Sequence, residues 1–317
     1  MFSRAAVLAG VSVVVTAVVQ DPGPRLSAEF TRLRSEAAQV LPASDAPAIT
    51  TRIDRGEAAV KAGRLYLALY DLQPVFEAVG GYTLAKTEKS YASQAEFERK
   101  WKEMDLPPAA PSARVDPVFV EALAQAAEGR APATYRASLP YAEDTQMAAG
   151  LYYLGESHAM VKFAAFCRSL AFKASSVRRL AVPSIESHLA RYEAEVVKTY
   201  DAAPGALRPR YPAVHVAIKI ARTLNEHGRH EGALIQYLVS RYRFALIRTL
   251  DSAQPSAASV ADRIRTFSIP ADGDGSIARF FLELAAATNE GSDPGPRGAA
   301  AILDDILPAY AAALKEP

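Results

Sequence analysis

The chain has 317 residues, of which half are hydrophobic and 22% charged, with a formal net charge of +1. That balance supports a sizeable buried core and excludes a disordered chain. It gives no reason to expect a polyanionic partner for the chain as a whole. Cys167 is the single cysteine, so an intrachain disulfide framework is excluded.

The first residues read apart from the rest. Met1 to Arg4 carries a positive charge, and Ala5 to Val19 is an uninterrupted run of apolar and small residues. Such a run falls short of the roughly 20 residues that span a bilayer as a helix, and matches the apolar core of a secretory signal peptide. Ala17 is the small residue best placed for cleavage, and the absence of cysteine excludes a lipoprotein anchor. Residues 1–20 are therefore expected to be a signal peptide, or a short N-terminal anchor if uncleaved, and the protein to be exported, periplasmic or secreted. Residues 25–317 are expected to form a single all-α domain, with 105–140 as the place for any sub-division.

Helical spacing dominates the rest of the chain. Leu26 to Leu41 places Phe30, Leu33, Ala37 and Val40 on one side, and Pro42 and Pro47 bracket a linker. Thr50 to Val79 reads as two helices around Ala62-Gly63-Arg64, with Pro74 expected to kink or end the second and Gly80-Gly81 to close the unit. Ser93-x-x-Glu96 is a capping box before Phe97 and Trp101. Pro107 to Pro111 is a stiff linker. Asp116-Pro117 starts a helix expected to stop at Gly129, with a second linker from Arg130 to Pro140. Asp144 to Phe172, the most apolar stretch, is placed at the centre of the core with a bend near Ser157, and Cys167 among its apolar neighbours reads as a buried, inert thiol. Ser184 is expected to cap the helix bearing Leu189, Tyr192 and Val196. Val214 to Arg248 reads as a second hairpin turning at Gly228, with Val214, Ile218, Ala221 and Leu224 facing Leu234, Leu238, Tyr242 and Ala245. Ser256 to Phe267 and Ser276 to Ala287 are two more helices, and Ala299 to Leu314 is a last one interrupted by Pro308. The fold class is all-α, a multi-helix domain of antiparallel hairpins, either compact or curved like a solenoid.

The two hairpins share a pattern: aligned on Gly63 and Gly228, both read Gly-Arg-x-x-x-Ala-Leu. Ala221, Leu224, Gly228, Ala233 and Tyr237 supply the small, large, glycine, alanine and aromatic positions of a tetratricopeptide hairpin, which this segment resembles. The resemblance implies close helix packing and a role in binding a protein or peptide. It covers two hairpins 165 residues apart, against the roughly 34-residue period of a regular array.

Candidate chemistry is sparse. His227 and His230 flank the turn glycine with Glu226 and Glu231, but a turn between them breaks the helical geometry that aims two rings at one metal. Asp272-Gly273-Asp274-Gly275-Ser276-Ile277 copies the middle of a calcium loop, with Pro270 and Phe281 at the end positions that need carboxylates. No metal or cofactor is expected, and no catalytic residue is assigned, because the sequence carries no recognised nucleophile, zinc or phosphate-loop motif. Residues 162–248 hold fifteen Lys/Arg against six Asp/Glu, while from 272 onward eight acids face three bases. Lys219, Arg222, Arg229, Arg241 and Arg243 mark a basic surface for an acidic partner, unless the acidic C-terminal helices neutralise it internally. The expected function is a non-catalytic protein-binding or scaffolding role in the bacterial cell envelope, without nucleic acid, and with membrane contact only if the N-terminus is uncleaved. The rival is an enzyme or small-ligand binder with its pocket among Tyr152, Tyr153 and His158.

Overall fold

A computed structural model describes residues 21–87, 93–105, 117–143, 147–172, 182–250, 252–269, 274–292 and 294–315. The signal-like segment 1–20, the proline linker 107–111, Asp116, Asp144 and the Asp272-Gly273 pair lie outside them. The described residues fold into α1 (Pro22–Val40), α2 (Ala46–Lys61), α3 (Leu65–Thr87), α4 (Gln94–Glu103), α5 (Val118–Glu143), α6 (Met147–Ser169) and α7 (Glu186–Ala202). After a 3-10 turn at Arg208–Arg210 come α8 (Tyr211–Glu226), α9 (His230–Arg248), α10 (Ala257–Thr266), α11 (Ser276–Glu290), α12 (Gly295–Ala301) and α13 (Leu307–Lys315). No strand occurs among the described residues, and the fold is all-α.

Helices α5 and α6 form the most extensive interface and lie between the two hairpins. On one side α6 packs on α3, and α3 on α1 and α2; on the other α5 packs on α9, α9 on α8, and α8 on α7. The C-terminal helices cover this row, with α11 touching both α3 and α5, and α12 and α13 resting on α9. One continuous apolar core runs through all of it, from Leu26 to Ala313. The stripes read from spacing face inward: Val214, Ile218, Ala221, Leu224, Leu234 and Leu238 are each at most 1% exposed. Cys167 is fully buried, and burial pushes its thiol well above the usual range.

Both hairpin turns close in the same way. Gly63 and Gly228 take φ of 71° and 69°, the left-handed conformation that only glycine adopts cheaply. Arg64 N–H donates to Ala59 O at 2.8 Å and Arg229 N–H to Leu224 O at 2.9 Å, so each turn reaches back five residues and satisfies an orphan helix carbonyl.

Several expected breaks are not breaks. Residues 130–140, expected as a linker, belong to α5, which runs through Gly129, Pro132 and Pro140. The buried small side chains Ala122, Ala124, Ala126, Ala127 and Ala131 bring its neighbours close, and tertiary packing outweighs the hydrogen bonds the prolines remove. Gly129 is a contact point in this helix, since a Cβ there would lie 2.2 Å from Leu224 Cδ2. Likewise α3 continues past Pro74 and past Gly80-Gly81. Those glycines let α3 and α6 touch: a Cβ on Gly155 would sit 2.5 Å from the Gly80 carbonyl oxygen. The last helix, by contrast, is interrupted as expected, just before Pro308. Pro308 has no N–H to offer Asp304, and residues Ile302–Ile306 widen into a π segment in which Leu307 N–H donates to Ile302 O. The chain then resumes as α13.

Candidate functional site

The charged and polar groups of the core separate into those that hold helices together and those that line open clefts. The largest buried group lies along one face of α5, where Glu121, Gln125 and Glu128 recur at helical spacing. Arg168 of α6 donates to both carboxylates, at 3.1 and 3.2 Å to Glu121 and 3.0 Å to Glu128. Gln125 Nε2 donates to Glu231 at 2.9 Å, and its Oε1 accepts from Gly232 N–H at 2.9 Å. Gln125 therefore caps the first turn of α9 from a different helix.

The same device recurs elsewhere. Glu283 of α11 accepts from Leu67 N–H at 2.9 Å at the start of α3, and burial raises its carboxyl to about 7. Asn225 of α8 accepts from Ile185 N–H at 3.1 Å just before α7, and donates to Ser184 Oγ. Ser184, expected to cap α7 itself, instead serves as that acceptor. At the start of α5, Val118 N–H donates to Asp274 and Phe119 N–H to Ser276 Oγ at 2.9 Å. Asp274 and Ser276, both in the described part of the calcium-like sequence, are thus occupied as helix caps, and Gly275 is the N-cap of α11. Local capping holds at Ser93, whose Oγ accepts from Glu96 N–H at 3.3 Å.

Three of the five histidines donate to named acceptors. His227 Nδ1 donates to Thr223 O at 2.6 Å, His230 Nδ1 to Asn225 Oδ1 at 3.1 Å, and His158 Nε2 to Met104 O at 2.7 Å. No cluster of three metal-binding side chains occurs among the described residues.

The five basic residues singled out in the sequence are spread along α8, α9 and the turn between them. Arg229 opens the hairpin turn, with Glu128 3.7 Å away. Arg243 lies about 21 Å further along α9 at helical rise and donates to Ala213 O at 3.1 Å. Arg222 donates to Glu193 of α7 at 2.6 Å. Arg241 donates to Asp305 of the π segment and to Tyr237 Oη at 3.2 Å, with its guanidinium over the Tyr192 ring at 5.2 Å. Lys219 is exposed on α8. Much of the local positive excess is thus met by carboxylates on α7, α5 and the C-terminal segment.

Open features among the described residues include three that differ in chemistry. The first is a cleft of about 730 Å³ between the end of α9, α10 and α12, lined by Arg241, Arg248, Arg263, Arg297, Asp304 and Asp305. The second, of about 760 Å³, lies between α3 and α6 and is lined by Tyr82, Tyr152, Tyr153, Gln39 and Lys86. Its tyrosines pack edge to face, Tyr82 on Tyr152 at 4.8 Å and Tyr152 on Tyr153 at 5.6 Å. The third is a smaller apolar groove of about 330 Å³ between α7 and α8, lined by Val196, Val197, Tyr200, Arg208, Tyr211, Pro212 and His215. Sequence spacing could flag Tyr152 and Tyr153 as candidates. It could not flag Arg248, Arg263 and Arg297, which come from separate helices.

Comparison with protein families, with functionally described proteins and with solved structures finds no match for this chain. Fold and clefts define its class as an all-α protein of packed helical hairpins with open, solvent-facing grooves. No described helix is long and apolar enough to cross a membrane.

Proposed function

We propose that this chain is a non-catalytic binding protein of the bacterial cell envelope, exported by its N-terminal apolar segment, that docks an acidic, amphipathic segment of a partner protein in the α7–α8 groove. The tetratricopeptide-like hairpin α8–α9 is its frame. The observation that carries this reading is exposure. Val197, Tyr200 and Val216 are 51%, 40% and 53% exposed, and they are three of the four large hydrophobic side chains exposed among the described residues. Val197 and Tyr200 line the groove, and Val216 is on α8 next in sequence to its lining residue His215; apolar exposure beside a groove marks an interaction site. Its surroundings select the partner's charge: residues 196–220 hold Lys198, Arg208, Arg210 and Lys219 against Asp201 alone. Arg208 lies over the Tyr200 ring at 5.4 Å, so one apolar anchor and one acidic group would meet side by side.

A photo-crosslinking residue placed at Val197 or Val216 in cells tests this. The expected result is a discrete adduct with one envelope protein, lost on Tyr200→Asp and weakened by Arg208→Glu. Adducts absent at both positions, or unchanged by both substitutions, would overturn the reading. For compartment, sequencing of the mature N-terminus is decisive, because an intact Met1 contradicts cleaved export.

The tyrosine cleft supports a second reading, a small-ligand binder. Tyr152 and Tyr153 line it as that alternative requires, but His158 does not. A saturable ligand whose affinity falls in Tyr153→Ala, with crosslinking at the α7–α8 groove unaffected, would favour that reading.

A further inference from the structure

The arginine cleft is separate from the apolar groove and shares no lining residue with it. We infer that it binds the phosphoryl group of a small ligand, a phosphomonoester or related dianion.

One wall of the cleft is the π segment that precedes Pro308. The missing N–H widens residues Ile302–Ile306 into a π segment, and π segments present consecutive side chains differently from an α-helix. Asp304 and Asp305 of this segment both line the cleft. Asp305 fixes Arg241, which is also held by Tyr237 Oη and stacked over Tyr192. Asp304 meets Arg263 across the cleft. Arg297 donates to the Leu250 carbonyl at 2.5 Å, which positions it without neutralising it.

Four guanidiniums against two carboxylates leave a lining charge of +2, which the Glu195 partner of Arg248 lowers to +1 until that exposed pair opens. A phosphomonoester carries about −1.5 to −2 at neutral pH and offers three acceptor oxygens, a match in charge and in geometry to arginine forks. Two of the four arginines are built in and two can turn. Arg241 is only 19% exposed, whereas Arg248 and Arg263 are 49% and 45% exposed and their pairs with Glu195 and Asp304 face solvent. Exposed ion pairs are weakly held, so both side chains can exchange a carboxylate for a ligand oxyanion. Thr249 and Ser252 add hydroxyls, and Ala245, Ala300 and Ala301 leave room for an organic body. A volume of about 730 Å³ exceeds what a free inorganic ion fills and lies in the range of small-molecule sites.

Titration calorimetry on the full chain tests this with two probes, soluble glycerol 3-phosphate and vesicles containing phosphatidic acid. Both present a phosphomonoester, and the pair tells a soluble ligand from a lipid headgroup. Saturable heat with either probe is expected. Arg248→Gln with Arg263→Gln should weaken binding by about tenfold or more. Both positions are exposed, so an unchanged circular dichroism spectrum and melting temperature verify folding of the variant. Asp304→Asn should shift affinity in the opposite direction, because it removes a competing carboxylate. No binding of either probe at millimolar concentration overturns the proposal, as does binding that the double variant leaves intact.

Discussion

Replacing Arg168 with methionine should be among the most damaging single changes in this protein. Its side chain is 12% exposed, and its guanidinium is shared between Glu121 and Glu128, whose side chains are 1% and 8% exposed. Four hydrogen bonds join the three side chains. Without Arg168, two carboxylates remain buried on one face of α5. Gln125 then contributes one hydrogen bond to Glu121 at 3.2 Å, and the Arg229 guanidinium stays 3.7 Å from Glu128. Breaking a buried pair on one side costs about 3 to 5 kcal/mol, a large share of the roughly 5 to 15 kcal/mol that holds a protein folded. Urea unfolding near neutral pH, monitored by far-ultraviolet circular dichroism, measures it. The triple variant Arg168→Met, Glu121→Gln, Glu128→Gln removes charge from all three and should recover most of the loss, since removing the whole charged group costs far less than orphaning part of it. A loss within about 1 kcal/mol for Arg168→Met, the value of a surface pair, would refute the reasoning. A triple variant as unstable as the single one would refute it too.

The same packing leads to two further outcomes. Burial, reinforced by the Glu77 charge, raises the Glu156 carboxyl from its usual 4.5 to about 7. The native state therefore holds that proton more tightly than the unfolded chain does. Its favourable contribution is complete below about pH 4.5 and is lost as pH rises through about 7. Glu156→Gln should thus stabilise by about 1 to 3 kcal/mol near pH 8 and have little effect near pH 4; a pH-independent difference in urea midpoint would contradict this. Gly155→Ala places a methyl group 2.5 Å from the Gly80 carbonyl oxygen, where backbone must move. The overpacking cost of about 1 to 3 kcal/mol should exceed the roughly 1 kcal/mol gained in helix propensity, giving a lower melting temperature, whereas a rise would mean that α3 and α6 can separate freely.

Periodicity and turn glycines carry much of this fold. The inward stripes of α8 and α9 are legible because each residue's face depends only on local spacing. The left-handed turns at Gly63 and Gly228 are legible for the same reason, as is the buried Cys167 among phenylalanines and alanines. Proline and glycine are less dependable guides at Pro74, Gly80, Gly129, Pro132 and Pro140. Each is a local helix breaker, yet each sits inside a helix because a neighbouring helix needs the close approach or supplies the burial that outweighs a missing bond.

The sites depend on tertiary structure more strongly still. A scan for caps looks three residues ahead, and it finds Ser93 with Glu96. It cannot find Glu283 serving Leu67, Gln125 serving Gly232, or Asp274 and Ser276 serving Val118 and Phe119, because those partners meet only when distant helices pack. The excess of bases in residues 162–248 is countable in the sequence. Which of them are consumed is not, since Arg222 meets Glu193, Arg168 meets Glu121 and Arg241 meets Asp305 across helix boundaries. By itself, then, the sequence determined an all-α chain with its two hairpin turns and the faces that turn inward, all of which rest on short-range geometry. Only the tertiary structure decided which charges are internal, which helices run through their prolines, and that four arginines from α9, α10 and α12 line one cleft, because each depends on which surfaces come together.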